Sequence, residues 1–312
     1  MLFLYVAFGI FGGYVYWKVA EGLGLFRDRR DPHKIRGGGV VILPVILWYL
    51  LGEPGRLGIV LTLTVILIGV MGLWDDYRGL SGYVKAALTS VSALAILWGL
   101  GWVLPIRILG YEMYVPILTE VLWILFFVGF INAFNVIDGK DGVLLMTATV
   151  LLTYLYVLTG EKLYLHVGAV SVGLLTWNSP PARLIMGDTG SYTLGLLITT
   201  AFLTLPHVPL EAKLLALSFP LVDTLTTIVR RLKRRQSIFR ADREHIHHVL
   251  YSRFGDRWGL AAITLVNLVS VGIAHLYLTY GWPFLIVGVL WWVFLSLLSF
   301  SGPKFADAIH QA

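Results

Sequence analysis

Cysteine is absent from this 312-residue chain, which excludes disulfides, thiolate metal ligands and a cysteine nucleophile. Any metal site must therefore be built from oxygen or imidazole. Charge is scarce too: Asp, Glu, Lys and Arg make up 13% of the residues against 57% hydrophobic, a balance that excludes an ordinary soluble globule. The amino terminus lacks the cationic leader and small-residue cleavage site of a secretory signal, so its apolar run reads as a retained first span. No repeat, soluble domain or low-complexity linker interrupts the chain, which reads as one membrane domain over residues 1–312.

What is present is a succession of apolar runs. Measured against the roughly 20 residues that cross a bilayer, they give about eleven spans, near residues 2–20, 38–51, 57–74, 84–103, 116–132, 143–158, 163–177, 191–205, 211–229, 259–280 and 283–300. The expected fold is an all-α polytopic membrane protein. Alternate loops differ sharply: one set is short and bland, and the other carries Arg27, Arg29, Arg30, Lys34, Arg36, Arg78, Lys140, Arg183 and the run from Arg230 to Arg243. Positive charge marks the second set as cytoplasmic, with the N-terminus outside and the C-terminus inside. The net charge of +6 then reflects loops facing anionic lipid, and no nucleic-acid partner is expected.

That sidedness rests on Lys and Arg alone, yet it gathers nearly all the distinctive polar motifs onto one face. Asp75 and Asp76 stand side by side at the end of the third span, where two adjacent like charges call for a nearby cation or solvent screening; the alternative is a solvated loop. Lys85, opening the next helix, is a candidate to supply that charge or to bind phosphate, or else a plain interfacial anchor. Asn135, Asp138 and Asp141 recur at every third residue, so on a helical turn they share one face, and Gly139 and Gly142 let the backbone approach a ligand.

Asp188 lies between two glycines just before another span, placed either to reach a hard cation or to cap the following helix. His245, His247 and His248 suggest zinc at first sight. With no Cys and no HExxH pattern, imidazole donors beside a polyanion are the simpler reading. Asp223, within the ninth span, is a functional candidate because a buried acid in lipid is costly, with a helix-helix hydrogen bond as the alternative. His166 and His275 read as packing or interhelical hydrogen-bonding residues. Acids suited to Mg²⁺, together with basic side chains at the membrane surface, point to a phosphate-bearing substrate reached from the cytoplasm.

Asp75-Asp76, Asn135-x-x-Asp138-x-x-Asp141, Asn178 followed by Pro180-Pro181-Ala182, Met186-Gly187-Asp188-x-Gly190-Ser191 and His245-Ile246-His247-His248 occur in an order that resembles the polyprenyl-phosphate N-acetylhexosamine-1-phosphate transferases. The histidine segment, with Asp242 and Arg243 before it, is similar to the bacterial branch that acts on GlcNAc-1-phosphate. The first inner loop, Arg30 to Gly39, is shorter than the family's usual stretch before the glycines. The resemblance implies a multi-pass enzyme of the bacterial inner membrane, acting at its cytoplasmic face, that joins UDP-GlcNAc and undecaprenyl phosphate to give undecaprenyl-diphospho-GlcNAc and UMP. It implies Mg²⁺, with Mn²⁺ as a substitute, held by Asp188 and Asn135. Asp75 and Asp76 would orient or deprotonate the lipid phosphate or assist the metal. Asp138, Asp141 and Asn178 would line the nucleotide pocket, and Lys85, Arg243, His245, His247 and His248 would contact phosphates and sugar. A homodimer is compatible with the resemblance. Phospho-MurNAc-pentapeptide transfer, or another UDP-HexNAc, is the alternative within the family, and a secondary transporter using Asp223 the alternative outside it.

Overall fold

In lipid a backbone must satisfy its own hydrogen bonds, and apolar runs of this length do so as helices. The computed structural model describes residues 1–28, 31–236 and 244–301. Twelve α-helices are found among them: α1 Leu2–Leu23, α2 Leu43–Leu50, α3 Gly55–Arg78, α4 Gly82–Gly99, α5 Leu118–Ile137, α6 Val143–Thr159, α7 Lys162–Asn178, α8 Gly187–Leu203, α9 Leu210–Ala216, α10 Ser218–Lys233, α11 Ile246–Tyr280 and α12 Trp282–Phe300. Of these, α1, α3, α4, α5, α11 and α12 are individually long and apolar enough to cross a membrane, and α9 with α10, bent by 85° at their break, make a seventh as a pair.

The sequence pattern leads one to expect about eleven spans. The difference lies in the interior. α6, α7 and α8 have 17 residues each and α2 only eight. α8 is the clearest case, because every residue from Gly187 to Leu203 is buried. Protein covers it on all sides, so it tolerates Thr189, Ser191, Thr193, Thr199 and Thr200 along its length, where a lipid-facing helix would need apolar side chains.

This central helix packs against α3, α5, α6 and a single 3-10 turn at Gly38–Val41. The approach is backbone to backbone. A Cβ on Gly72 of α3 would lie 2.5 Å from the Thr189 Cα, and one on Gly39 would lie 2.2 Å from the Gly190 nitrogen. Small residues also bring α1 onto α7, where a Cβ on Gly173 would stand 2.2 Å from the Val6 carbonyl oxygen. Without a solvent-driven hydrophobic force between helices in lipid, such close packing supplies much of the attraction.

Polar groups in the loops pair with groups on the helices. The Trp123 indole donates to the Leu104 carbonyl at 2.7 Å, and Glu211 accepts from the Leu109 backbone N–H at 2.8 Å and the Tyr277 hydroxyl at 2.5 Å. A two-stranded antiparallel hairpin, β1 Ile106–Ile108 with β2 Tyr111–Met113, occupies a segment whose sequence reads as a plain loop. His166 is hydrogen-bonded to the Tyr49 hydroxyl and stacks on Tyr5 at 3.9 Å, and His275 meets the edge of Tyr154 at 6.3 Å. Both fit the packing roles expected of them. α11 breaks at Gly255 (φ 75°, ψ 172°), separating the short histidine-bearing segment from the long apolar one.

Candidate active site

The amino end of a helix leaves N–H groups without intrahelical partners. At α8 the N-cap residue Met186 offers no side-chain bond, and the acid that satisfies these groups comes from another helix. Asp76, at the end of α3, accepts the Asp188 N–H at 2.9 Å, the Thr189 N–H at 3.0 Å and the Thr189 hydroxyl at 2.7 Å. The Arg36 Nε adds a fourth bond at 3.2 Å. Gly187 makes room for this: its φ is 66°, and a Cβ there would fall 2.2 Å from Asp76 Oδ1.

Asp188 sits in the first turn of α8, where the helix dipole favours a carboxylate. Its Oδ2 lies 2.8 Å from the Lys85 ammonium, while its Oδ1 takes the Asn135 side-chain N–H at 3.1 Å and stands 3.6 Å from the Arg36 guanidinium. Lys85 reaches Asp75 Oδ1 as well, at 3.3 Å, and that oxygen also accepts the Leu80 N–H at 2.7 Å. The two neighbouring aspartates thus differ in kind. Asp76 is buried and fully engaged, whereas Asp75 keeps its second oxygen without a protein partner among the described residues.

Asp75, Asp76 and Asp188 offer three carboxylate oxygens within 4.8 Å of one another. An all-oxygen set of this kind suits a hard divalent cation. Arg36 and Lys85 are the cations that these contacts set against Asp75, Asp76 and Asp188, so the three carboxylates outnumber the basic side chains that face them. Asp188 and Asp75 have coordinating capacity to spare, and the Asn135 amide, which donates to Asp188 and to Ser191 Oγ at 3.0 Å, keeps its carbonyl oxygen. These residues fit a single divalent ion.

The Asn135, Asp138, Asp141 series does not form one face, because α5 ends at Ile137 and the chain turns at Asp138. Asn135 joins the Asp188 cluster. Asp138 follows as the helix C-cap, partly open to solvent. Its enclosing packing pushes the carboxyl well above the ordinary range, against the pull of Arg36 and with a further push from Asp188 and Asp76. Asp141 turns away to Lys34, whose ammonium bonds its two oxygens at 2.7 and 2.9 Å, and to the Ala182 N–H at 2.9 Å. Asn178 is buried between loops, accepting the Gly142 N–H at 3.1 Å and donating to the Leu184 carbonyl at 2.8 Å. It fastens these loops together.

The histidines are fixed by the acid inside the membrane bundle. Asp223 is fully buried on α10, accepts the Ile246 N–H at 2.6 Å and stands 2.9 Å from His245 Nδ1. It therefore caps α11 as Asp76 caps α8, the helix-helix hydrogen bonding that was the alternative to a transport path. His247 is wholly buried, stacks on His245 at a centroid distance of 5.2 Å, meets the tilted ring of His248 at 4.4 Å, and has neither ring nitrogen hydrogen-bonded among the described residues. Gly139 lies against it: a Cβ there would be 2.5 Å from His247 Nε2. The loop after α5 thereby joins the histidines to the carboxylates. Arg243, which the sequence also nominates, lies outside the described residues.

Arg36 and Asp28 belong to the cluster although the motifs do not include them. The only signal in the sequence is position: Arg36 immediately precedes Gly37-Gly38-Gly39, whose close packing on α8 carries it to the acids.

A family model described as glycosyl transferase family 4 matches residues 58–205, the stretch from Asp75 to Asp188 included. Over 251 residues the chain is 32% identical to the undecaprenyl-phosphate alpha-N-acetylglucosaminyl 1-phosphate transferase of Thermotoga maritima, covering 78% of each protein. It is 33% identical over 238 residues to a probable undecaprenyl-phosphate N-acetylglucosaminyl 1-phosphate transferase of Bacillus subtilis, covering 67% of this chain and 63% of that one. The phospho-N-acetylmuramoyl-pentapeptide-transferase of Thermotoga petrophila is 30% identical over 284 residues, covering 79% and 90% respectively.

Proposed function

The chain belongs to glycosyl transferase family 4, and from that membership we propose that it transfers GlcNAc-1-phosphate from UDP-GlcNAc to undecaprenyl phosphate, giving undecaprenyl-diphospho-GlcNAc and UMP. The observation that carries this reading is the carboxylate cluster Asp75, Asp76 and Asp188 with Lys85, set at the amino end of a buried helix in a membrane protein. A lipid phosphate presents its charge at that level, and a nucleotide sugar reaches it from water.

In the reaction, an oxygen of the lipid phosphate attacks the phosphorus adjoining the sugar. The bond from that phosphorus to the UMP oxygen breaks, and UMP leaves with the electron pair. Positioning and charge neutralisation dominate phosphoryl transfer. The free oxygen of Asp75 is placed to orient the attacking phosphate and take its proton when it carries one. Asp76 instead fixes the first turn of α8 and through it Asp188. Lys85, a single charge on a flexible stem, can move from the carboxylates to an arriving phosphate. Asp188, Asp75 and the Asn135 carbonyl would hold Mg²⁺ or Mn²⁺, which when bound neutralises charge on the diphosphate. Asp138 and Asp141 border the nucleotide pocket, Asn178 holds its walls, and His245, His247, His248 and Arg243 serve the sugar and phosphates.

We place this site at the cytoplasmic face of the bacterial inner membrane, with the N-terminus outside, the C-terminus inside and about eleven membrane passages when the short buried helices are counted. Names of relatives favour GlcNAc-1-phosphate over phospho-MurNAc-pentapeptide, since the pentapeptide transferase is the less identical of those compared. The deciding experiment incubates purified protein with undecaprenyl phosphate, Mg²⁺ and a panel of UDP-sugars, measuring UMP. Turnover is expected with UDP-GlcNAc, and none with UDP-MurNAc-pentapeptide. The reverse preference overturns the sugar assignment, and UMP release from neither overturns the reaction.

A further inference from the structure

We infer that Arg36 is a positioning residue for the reacting centre, a fixed cation that sets the orientation of the Asp188 carboxylate while Lys85 holds its exchangeable side. Every nitrogen of the guanidinium faces a different acid. NH1 lies 3.1 Å from Asp28 Oδ2, Nε 3.2 Å from Asp76 Oδ1 and NH2 3.6 Å from Asp188 Oδ1. Asp28 and Asp76 are both buried, so a displaced Arg36 would take a charged contact from each of them in a poorly solvated place. Burial works against its charge, yet Asp76 and Asp188 hold the guanidinium more firmly protonated than an ordinary arginine.

The backbone of Arg36 is held as tightly as its side chain. Its N–H donates to the Phe26 carbonyl at 2.7 Å, and its own carbonyl accepts the Tyr16 hydroxyl at 2.9 Å. Ile35, just before it, bridges to Arg27 on one side and Leu184 on the other. Gly37, just after it, turns with φ 83°, and the following glycines lodge against α8. Nothing in this arrangement lets Arg36 swing to meet a substrate.

Lys85 differs on each point. It carries one point charge on a four-carbon stem and is shared by Asp75 and Asp188. Arg36 and the Asn135 amide both address Oδ1 of Asp188, and among the described residues Lys85 alone addresses Oδ2. Displacing Lys85 therefore frees Oδ2 for a divalent cation while Oδ1 stays pinned, and the carboxylate keeps its rotation. A planar fork is needed for this task. Lysine, with a single ammonium, cannot satisfy three acids in three directions.

The catalytic part of this inference rests on the proposed transfer reaction; the effect on metal binding does not. The test compares wild type with Arg36→Lys and Asp28→Asn in two measurements: the thermal stabilisation produced by titrating Mg²⁺ without substrate, and UMP release from UDP-GlcNAc and undecaprenyl phosphate across the same Mg²⁺ range. Arg36→Lys is expected to need at least about tenfold more Mg²⁺ for half-maximal effect in both, as is typical when a group that orients a metal ligand is lost. The KM for UDP-GlcNAc should stay within about twofold, because a guanidinium committed to Asp28, Asp76 and Asp188 acts through those acids. Asp28→Asn, which keeps all three guanidinium nitrogens but loosens their anchor, should shift the Mg²⁺ requirement the same way by less. An unchanged Mg²⁺ requirement in both variants overturns the inference. So does a raised KM with a normal Mg²⁺ response, since Arg36 would then be contacting substrate, and so does a wild-type protein with no thermal response to Mg²⁺. Failure of the reaction itself would appear as absent UMP release from wild type while the thermal titration still separates the variants.

Discussion

The carboxylate of Asp76 caps a helix to which it does not belong, accepting both the backbone N–H of Thr189 at 3.0 Å and its hydroxyl at 2.7 Å. Asp223 does the same for the segment that carries the histidines, through the Ile246 N–H at 2.6 Å. In both places one membrane helix supplies the charge that another helix end requires. The loops that carry the site are thereby fixed to the rigid bundle by acids that belong to other helices.

The first prediction follows from this division of labour. Asp75→Asn and Asp188→Asn should each lower kcat at least about 100-fold, equivalent to roughly 2.7 kcal/mol of transition-state stabilisation, with little change in Tm. Asp76→Asn should lose comparable activity and also several degrees of Tm, because it weakens the cap on the buried amino end of α8 as well as the contact to Arg36. UMP-release kinetics and thermal unfolding in detergent give the two readings. Near-wild-type rates in all three variants would remove the carboxylates from the mechanism.

Glycine contacts give a second prediction with a built-in control. Gly39→Ala and Gly72→Ala each drive a methyl group into the backbone around Thr189 and Gly190, an overpacking that costs about 1–3 kcal/mol. Both should lower Tm and displace Asp188. Gly22→Ala, on the open side of α1 with nothing within 4 Å, should be neutral or stabilising by up to about 1 kcal/mol. Equal behaviour of the three would contradict the close approach.

Sidedness supplies the third. Single cysteines at Arg78, Lys140 and Arg183 should react with an impermeant thiol reagent only from the cytoplasmic side, and cysteines at Glu112 and Glu161 only from the opposite one. The native chain has no cysteine to confuse the result. Labelling of any two of the first group from outside would refute a one-sided active site.

The fourth concerns Asp138, whose carboxyl is raised well above its ordinary value, chiefly by enclosure. Such an acid binds more protons folded than unfolded, so its contribution to stability is complete below about pH 3.9 and is lost as pH rises through the raised pKa. In EDTA, wild type should lose Tm relative to Asp138→Asn across that interval, and the two curves should run parallel below it. A constant difference between them at every pH would show that Asp138 titrates normally.

Much of the site is legible in the sequence because lipid excludes charge: Asp75, Asp76, Asn135 and Asp188 fall outside the apolar runs, Lys85 falls at the very start of one, and the Lys and Arg pattern assigns these ends to one side. All five do meet in one cluster. The periodic reading of Asn135, Asp138 and Asp141 went too far, because their spacing matches a helix that stops at Ile137, leaving Asp141 to pair with Lys34.

Composition and hydropathy by themselves thus determined a cysteine-free helical membrane protein, since this follows from transfer energies summed along the chain. Only the tertiary structure decided that Asp76 is a cap and Asp75 keeps an open oxygen, that Asn178 fastens loops, and that Arg36 joins three acids. These are matters of distance between residues remote in sequence, such as Asp76 and Thr189, 113 positions apart. Adjacent aspartates are alike to any local rule, and their roles separate only when α8, seated by Gly39 and Gly72, brings its unsatisfied amino end within 3 Å of one of them.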